Sequence, residues 1–309
     1  MVFITGVCHR SCWYCPLSQE RRGFDVVYAN EQAVSTPAEA VRQGYLMQAR
    51  GSSITGGEPL LVPERVVAYC QALKDAFGRG HHIHLYTGLA PDRTLLLHLV
   101  GLVDELRLHP SVDAWPLFLR GPYRTSVDLA RAMGFSIGVE LPGLPGIGVL
   151  STALPYLDFL NINELEWGGT NADAMRARDL VPEDGVHNAV EGSFSWATDL
   201  LHHHKVHWCS SRFKDSVQLR RRLIRVARGT ARPFDEVTGD GTILYGVLEP
   251  EGPFPGGVTM EPAMFEELDG KVEMAWWILE EHAAVLSGKK YIIEAFPNKG
   301  PVVEVIPLP

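Results

Sequence analysis

Three cysteines stand within eight residues near the start of the chain, in the run Cys8-His9-Arg10-Ser11-Cys12-Trp13-Tyr14-Cys15. This C-x3-C-x2-C loop directly follows an apolar stretch, Val2-Phe3-Ile4, that reads as a β-strand. Ligands only a few residues apart can fold three thiolates around one inorganic group. Three thiolates on a four-iron cubane leave one iron without a protein ligand. A metal centre with an open position performs chemistry, whereas a closed one is usually structural. The other reading of the same loop is a zinc site built from the three cysteines and His9.

A second motif bears on that choice. Ser52-Ser53-Ile54-Thr55 reads as the next parallel strand and ends in Gly56-Gly57-Glu58-Pro59. Paired glycines alone are only a turn signal, though they also let backbone approach a ligand closely. In this order, one βα unit apart, the two motifs resemble the signature of the radical S-adenosylmethionine (SAM) enzymes, including the aromatic Tyr14 just before the last cysteine. The resemblance implies a [4Fe-4S] cluster on Cys8, Cys12 and Cys15, with SAM on the open iron. An electron passed through the cluster then cleaves the C–S bond of SAM, and the 5′-deoxyadenosyl radical takes a substrate hydrogen. It further implies that Tyr14 lies near the adenine and that Gly56, Gly57, Glu58 and Pro59 grip the methionine end. A carboxylate such as Glu58 suits an ammonium group. An electron donor such as a ferredoxin or flavodoxin is implied as partner.

Beyond these motifs, strands and helices alternate, which argues for a parallel sheet. The expected strands are 82–86, 105–109, 136–140, 158–163 and 204–209, after the two already named. A period of two puts Ile83/Leu85, Leu106/Leu108, Ile137/Val139, Leu160/Ile162 and Val206/Trp208 on one face, against helices. The opposite face collects His82/His84/Tyr86, Arg107/His109, Glu140, Asn161/Asn163 and His207/Cys209. So many polar groups in a packed core are costly without partners, and a lumen holding a polar ligand resolves the conflict. The predicted fold is therefore α/β, a partial (β/α) barrel of about six to seven parallel strands with a small C-terminal α+β appendage. Active sites in such barrels gather at the carboxyl ends of strands. His109 and Asn161 are accordingly expected to contact cofactor, and Glu140, Asn163 and Glu164 to take part in catalysis. His82 and other residues at strand starts read as structural. Cys70 falls on the apolar stripe of a helix from 64 to 77 and reads as core packing.

The segment from Arg212 to Arg232 holds eight Lys/Arg and one Asp, a charge of +7 in a chain whose formal charge is −9. Ser210, Ser211, Arg212 and Lys214 open its helix, and a helix N-terminus is a natural anion site. Arg212 is expected to point toward the cavity and serve an anionic substrate, with Arg221, Arg225 and Arg228 on a solvated face. The resemblance also extends to Asn161–Glu166 and to Cys209–Asp215, and so over most of the chain. There it is to an uncharacterised group related to pyruvate formate-lyase activating enzymes, which supplies no substrate. That group carries a further cysteine-containing segment before the first strand, so the expectation is a late start site or a trimmed chain.

The expected domains are a barrel over 1–229 and a small α+β domain over 230–309. The second holds a hairpin around Asp240-Gly241, a Pro/Gly-rich link at 250–257, short helices near 262–268 and 276–286, and a closing pair of strands. No stretch approaches the ~20 apolar residues of a membrane span. Five cysteines, three of them clustered, do not form a disulfide framework, and a reduced cytoplasm is expected. Three functions compete: hydrogen abstraction by a radical SAM enzyme, the same chemistry on RNA or a nucleotide through the basic segment, and a non-catalytic zinc-binding scaffold.

Overall fold

The computed structural model describes residues 1–251 and 260–309. Most of the link expected at 250–257 therefore lies outside the described residues. The chain divides into two compact units, Met1–Gln43 with Arg50–Lys214, and Gly44–Ala49 with Asp215–Pro309. Among the described residues no helix is long and apolar enough to cross a membrane.

The first unit is built on a nine-stranded sheet. Its strands are β1 (Val2–Phe3), β2 (Tyr28–Ala29), β3 (Gln32–Ala33), β4 (Gly51–Thr55), β5 (His82–Thr87), β6 (Glu105–Leu108), β7 (Ser136–Pro142), β8 (Phe159–Asn163) and β9 (Val206–Cys209). The order across the sheet is β3-β2-β1-β4-β5-β6-β7-β8-β9. From β1 through β4 to β9 every pair is parallel. The short β2–β3 hairpin extends one edge antiparallel. Seven parallel strands stand side by side in sequence order, as the alternation predicts.

The connections hold α1 (Pro37–Leu46), α2 (Pro63–Phe77), α3 (Arg93–Leu99) and α4 (Pro122–Ala132). Local signals set their ends. Glu39 accepts from the Ser35 and Thr36 amides, the capping box of α1. The Asp92 carboxylate caps α3 through the Leu95 amide. Gly78 stops α2 at φ 85°, a conformation that costs a side chain dearly. The apolar face of the strands is the core: Ile83, Leu85, Leu106, Leu108, Ile137, Val139, Leu160 and Ile162 are all fully buried. Cys70 is buried with them, and burial pushes its thiol up to about 12, so it is inert packing at neutral pH.

The second unit is an antiparallel sheet, ordered β12-β13-β11-β14-β15, with β10 paired to β11. Its strands are β10 (Glu236–Val237), β11 (Ile243–Pro250), β12 (Phe265–Leu268), β13 (Lys271–Met274), β14 (Gly288–Ala295) and β15 (Val302–Leu308). The Asp240-Gly241 hairpin and the closing β14–β15 pair follow the sequence pattern. One expectation is corrected. The helix expected near 262–268 is a single turn at Pro262–Met264 followed by strand β12. Asp269 and Gly270, at φ 52° and 79°, form a tight turn that folds β12 onto β13. That Asp-Gly pair was the available signal.

Candidate active site

The cysteine loop leaves β1 and returns before β2, and its stem is tightly held. The Thr5 hydroxyl donates to Asp25, which also accepts two bonds from Arg65 of α2 at 2.5 and 3.0 Å. The Arg65 and Thr5 bonds hold the Asp25 carboxyl down at about 2. Across the stem, the Gly57 and Glu58 amides donate to the carbonyls of Thr5 and Val7. Glycine is required here by contact. A Cβ on Gly56 would lie 2.6 Å from the Thr5 carbonyl oxygen, and one on Gly57 2.5 Å from that of Val7. The glycine pair thus lets the end of β4 lie against the root of the cysteine loop.

Glu58 is almost fully buried. One carboxylate oxygen accepts from the Leu60 amide and the Thr87 hydroxyl, the other from the Gly88 amide at 2.7 Å. It thereby joins the carboxyl ends of β4 and β5. A carboxylate offers about four acceptor positions, so room for one further donor remains.

Two side chains of the loop reach the neighbouring strands. The Arg10 guanidinium donates to the His109 carbonyl at 2.8 Å and to the Tyr123 hydroxyl at 2.6 Å. Tyr123 in turn donates to the Gly88 carbonyl. The Tyr14 hydroxyl lies 3.1 Å from His109 Nε2, while His109 Nδ1 lies 2.8 Å from the Glu140 carbonyl oxygen. A carbonyl only accepts, so Nδ1 carries the proton and Nε2 accepts from Tyr14. Burial pushes His109 down to about 4, which keeps the ring neutral. On the far side, the Thr170 hydroxyl bonds the Cys15 and Leu17 carbonyls, and Asn171 Nδ2 donates to the Tyr14 and Glu166 carbonyls. Arg10, Tyr123, Thr170 and Asn171 escaped the sequence reading. An arginine inside the cysteine loop and an asparagine after Gly168-Gly169 were the only hints, and neither names its partner.

The polar face of the sheet is a connected network centred on Glu140. Its carboxylate accepts from Arg107 at 2.7 Å, Asn161 at 3.0 Å, Asn163 at 2.9 Å and the Tyr86 hydroxyl at 3.3 Å. Burial acts to raise its pKa, but Arg107 and the two asparagines outweigh it and the net direction is down. Asn161 stands back from the cavity wall and orients Glu140. Glu140 and Asn163 reach the wall itself.

At the end of β8, Glu164 accepts from the Ser211 amide at 2.8 Å, so the chain's own carboxylate occupies the first turn of the helix that opens there. Ser210 caps the same turn through the Phe213 amide. Burial raises the pKa of Glu164, with Glu183 and Glu166 adding to the effect against the Ser211 bond. Arg212 is exposed and does not line the cavity, contrary to its expected direction. Lys214 does line it and pairs with Glu166 at 2.7 Å. The helix passes from an α-turn to a π-type turn at Lys214–Leu219, which rotates side chains relative to an ideal α-helix. Arg221, Arg225 and Arg228 are exposed, as expected. Arg220 pairs with Asp240, and Arg232 is held by Asp235 and Glu273.

The cysteine loop, Gly56–Pro59, His109, Glu140, Asn163, Glu164, Glu166 and Lys214 line a cavity of about 530 Å³, within the range of small-molecule sites. All three cysteines and Gly56–Pro59 line it. Among the described residues, no three of Cys8, Cys12, Cys15 and His9 bring their donor atoms within 4.8 Å of one another. With Zn–S bonds of about 2.3 Å, a tetrahedral zinc ion holds its sulfurs about 3.8 Å apart.

The chain is 36% identical over 266 residues to a protein of Methanocaldococcus jannaschii named "Putative glycyl-radical enzyme activating enzyme MJ0021", covering 80% of this chain and 70% of that one. This chain belongs to the radical SAM superfamily. A further likeness is to the crystal structure of Streptococcus suis SuiB bound to S-adenosylmethionine. That match has a TM-score of 0.41 and 13% identity, and covers 70% of this chain and 52% of the other. Residues 241–308 match a family described as a domain of unknown function, DUF8061. In this radical SAM chain, the two motifs that carry the superfamily's signature line one cavity.

Proposed function

We propose that this protein binds a [4Fe-4S] cluster through Cys8, Cys12 and Cys15 and uses it to cleave SAM and abstract a substrate hydrogen atom. The observation that carries the reading is the convergence of three thiols and the Gly56–Pro59 turn on one cavity at the carboxyl ends of parallel strands. When bound on Cys8, Cys12 and Cys15, the cluster would supply the one electron that splits SAM into methionine and the 5′-deoxyadenosyl radical needed to take a substrate hydrogen.

The chain's own groups prepare that event. Arg10 and Tyr14 hold the loop against β6, so the thiols face inward. Glu58 offers a buried carboxyl group with one open acceptor position beside the cavity, suited to the SAM ammonium. The neutral His109 ring fixes the direction of the Tyr14 hydroxyl, beside the adenine in this reading. Glu164, Glu166 and Lys214 form the polar side of the cavity left for substrate. Asn163 and Glu140 support them from the sheet. Seven parallel strands in sequence order, with one polar face, also favour a partial barrel whose lumen is this cavity.

The relative's name makes a glycyl Cα–H in a protein the first substrate to test. The product would be a backbone glycyl radical. A ferredoxin or flavodoxin is the proposed reductant, and the cytoplasm the proposed compartment, since exposed thiols and an iron–sulfur cluster need reducing conditions. Arg220 and Arg232 are paired within the chain, which weakens the RNA alternative. The decisive experiment is anaerobic reconstitution, then incubation with SAM and dithionite. About four iron per chain and formation of 5′-deoxyadenosine are expected. Zinc in place of iron, with no SAM cleavage, overturns the proposal. A glycyl-radical signal on mixing with a candidate protein partner identifies the substrate class.

A further inference from the structure

We propose that His82, His84 and Glu105 bind one divalent first-row transition ion, with zinc as the physiological class, at the amino ends of β5 and β6. This is the opposite end of the strands from the cysteine loop. From His82 to Thr87 the strand climbs five residues, about 16 Å at ~3.3 Å per residue, so the two sites are separate.

The sequence and the register build the trio. His82 and His84 lie two apart on β5 and therefore on the same face. Glu105 is the register partner of His84 on β6. The donor atoms of all three lie within 4.8 Å of one another, and among the described residues they are the only such group. His82 Nε2 and Glu105 Oε2 stand 3.8 Å apart. Tetrahedral zinc with bonds of about 2.0–2.2 Å to nitrogen and oxygen spaces its ligands by roughly 3.4 Å. Small side-chain rotations close the difference.

The surroundings suit a bound cation. Arg107 Nε donates to Glu105 Oε1 at 2.6 Å and leaves Oε2 turned toward the histidines. Such an outer contact orients a ligating carboxylate. His82 is half exposed, which gives ions a route in and leaves a fourth position for water. Two imidazoles and one carboxylate with an open position match zinc better than magnesium or calcium, which prefer oxygen. The ion would fasten β5 to β6 where each strand begins.

The test uses the full chain with its cluster assembled under anaerobic conditions, exposed to Zn²⁺ and desalted. One zinc per chain is expected to remain beside the iron and to raise the melting temperature. The same zinc should remain in a chain carrying Cys8→Ser, Cys12→Ser and Cys15→Ser. It should fall below a tenth of that occupancy in His82→Ala/His84→Ala, with iron loading unchanged. Should the double variant fail to fold, His82→Ala alone, at a half-exposed position, is expected to weaken zinc binding at least tenfold. Failure of the wild-type chain to retain zinc overturns the proposal. So does equal retention in the histidine variants, or loss of the ion on substitution of the cysteines. None of these readouts depends on SAM cleavage.

Discussion

At the amino ends of the parallel strands, Asp104 and Asp158 repeat one arrangement. Each stands just before a strand, accepts from the backbone of the preceding strand, and pairs with a cation on a helix of the same layer. Asp104 bonds the Ile83 amide and Lys74 of α2, both at 2.7 Å. Asp158 bonds the Ile137 amide at 2.8 Å and Arg131 of α4 at 2.7 Å. At the carboxyl ends the contacts are different in kind. Arg10 reaches the His109 carbonyl, Tyr14 reaches the His109 ring, and Asn171 reaches back to the Tyr14 carbonyl. The first set ties neighbouring βα units locally, whereas the second draws residues from across the chain around a cavity. Damage at the amino ends should therefore cost stability, and damage at the carboxyl ends should cost cofactor.

The largest effect expected is at the cysteines. Cys12→Ala should abolish both iron loading and 5′-deoxyadenosine formation, while the buried Cys70→Ala keeps both. Iron quantitation and product chromatography read this directly, and full cleavage by Cys12→Ala would break the comparison at its root.

Next comes the turn beside the loop. Gly57→Ala must push its Cβ away from the Val7 carbonyl, and such overpacking costs about 1–3 kcal/mol. Because the displaced backbone is the root of the cysteine loop, iron occupancy should fall by more than half. A variant that is less stable yet fully loaded would show that the stem does not position the thiols.

Asp104→Ala examines the other end. It strips Lys74 and the Ile83 amide of a partner. Breaking a buried ion pair costs ~3–5 kcal/mol, but the Asp104 side chain is 40% exposed, and about 2 kcal/mol is the discounted expectation. Urea denaturation should register the loss while iron loading stays normal. Loss of iron here would erase the distinction between the two ends.

The smallest effect is a pH dependence. His109 is depressed from its usual 6.5 to about 4. The unfolded chain therefore binds a proton in this window that the folded chain refuses, and stability rises with pH. The contribution is complete above about 6.5 and declines as pH falls toward 4. Urea midpoints of the metal-free chain at pH 7 and 4.5 should move closer together in His109→Gln. An unchanged gap would assign the acid sensitivity elsewhere.

Much of this architecture was legible from local pattern. Period-two alternation sorted the strands into a core face and a polar face, because side chains on a strand must alternate. The cysteine spacing and the Gly56–Pro59 turn located the cavity, because a shared ligand set needs ligands close in sequence. Strand β12 is less legible: Phe265–Leu268 carries no apolar alternation of its own, and only the Asp269-Gly270 turn marks its pairing with β13. Glu164 and Lys214 illustrate the remaining limit. Composition marks 210–214 as an anion-binding helix start, yet cannot say that the anion is the chain's own Glu164. Nor can it say that the π-type turn presents Lys214, and not Arg212, to the cavity. The same holds for Arg10, Tyr123 and Asn171, whose partners lie about a hundred residues or more away. Residue type and spacing decide which groups are available and which face they take. Which of them meet across strands far apart in sequence depends on register and packing, and those arise only once the sheet has assembled.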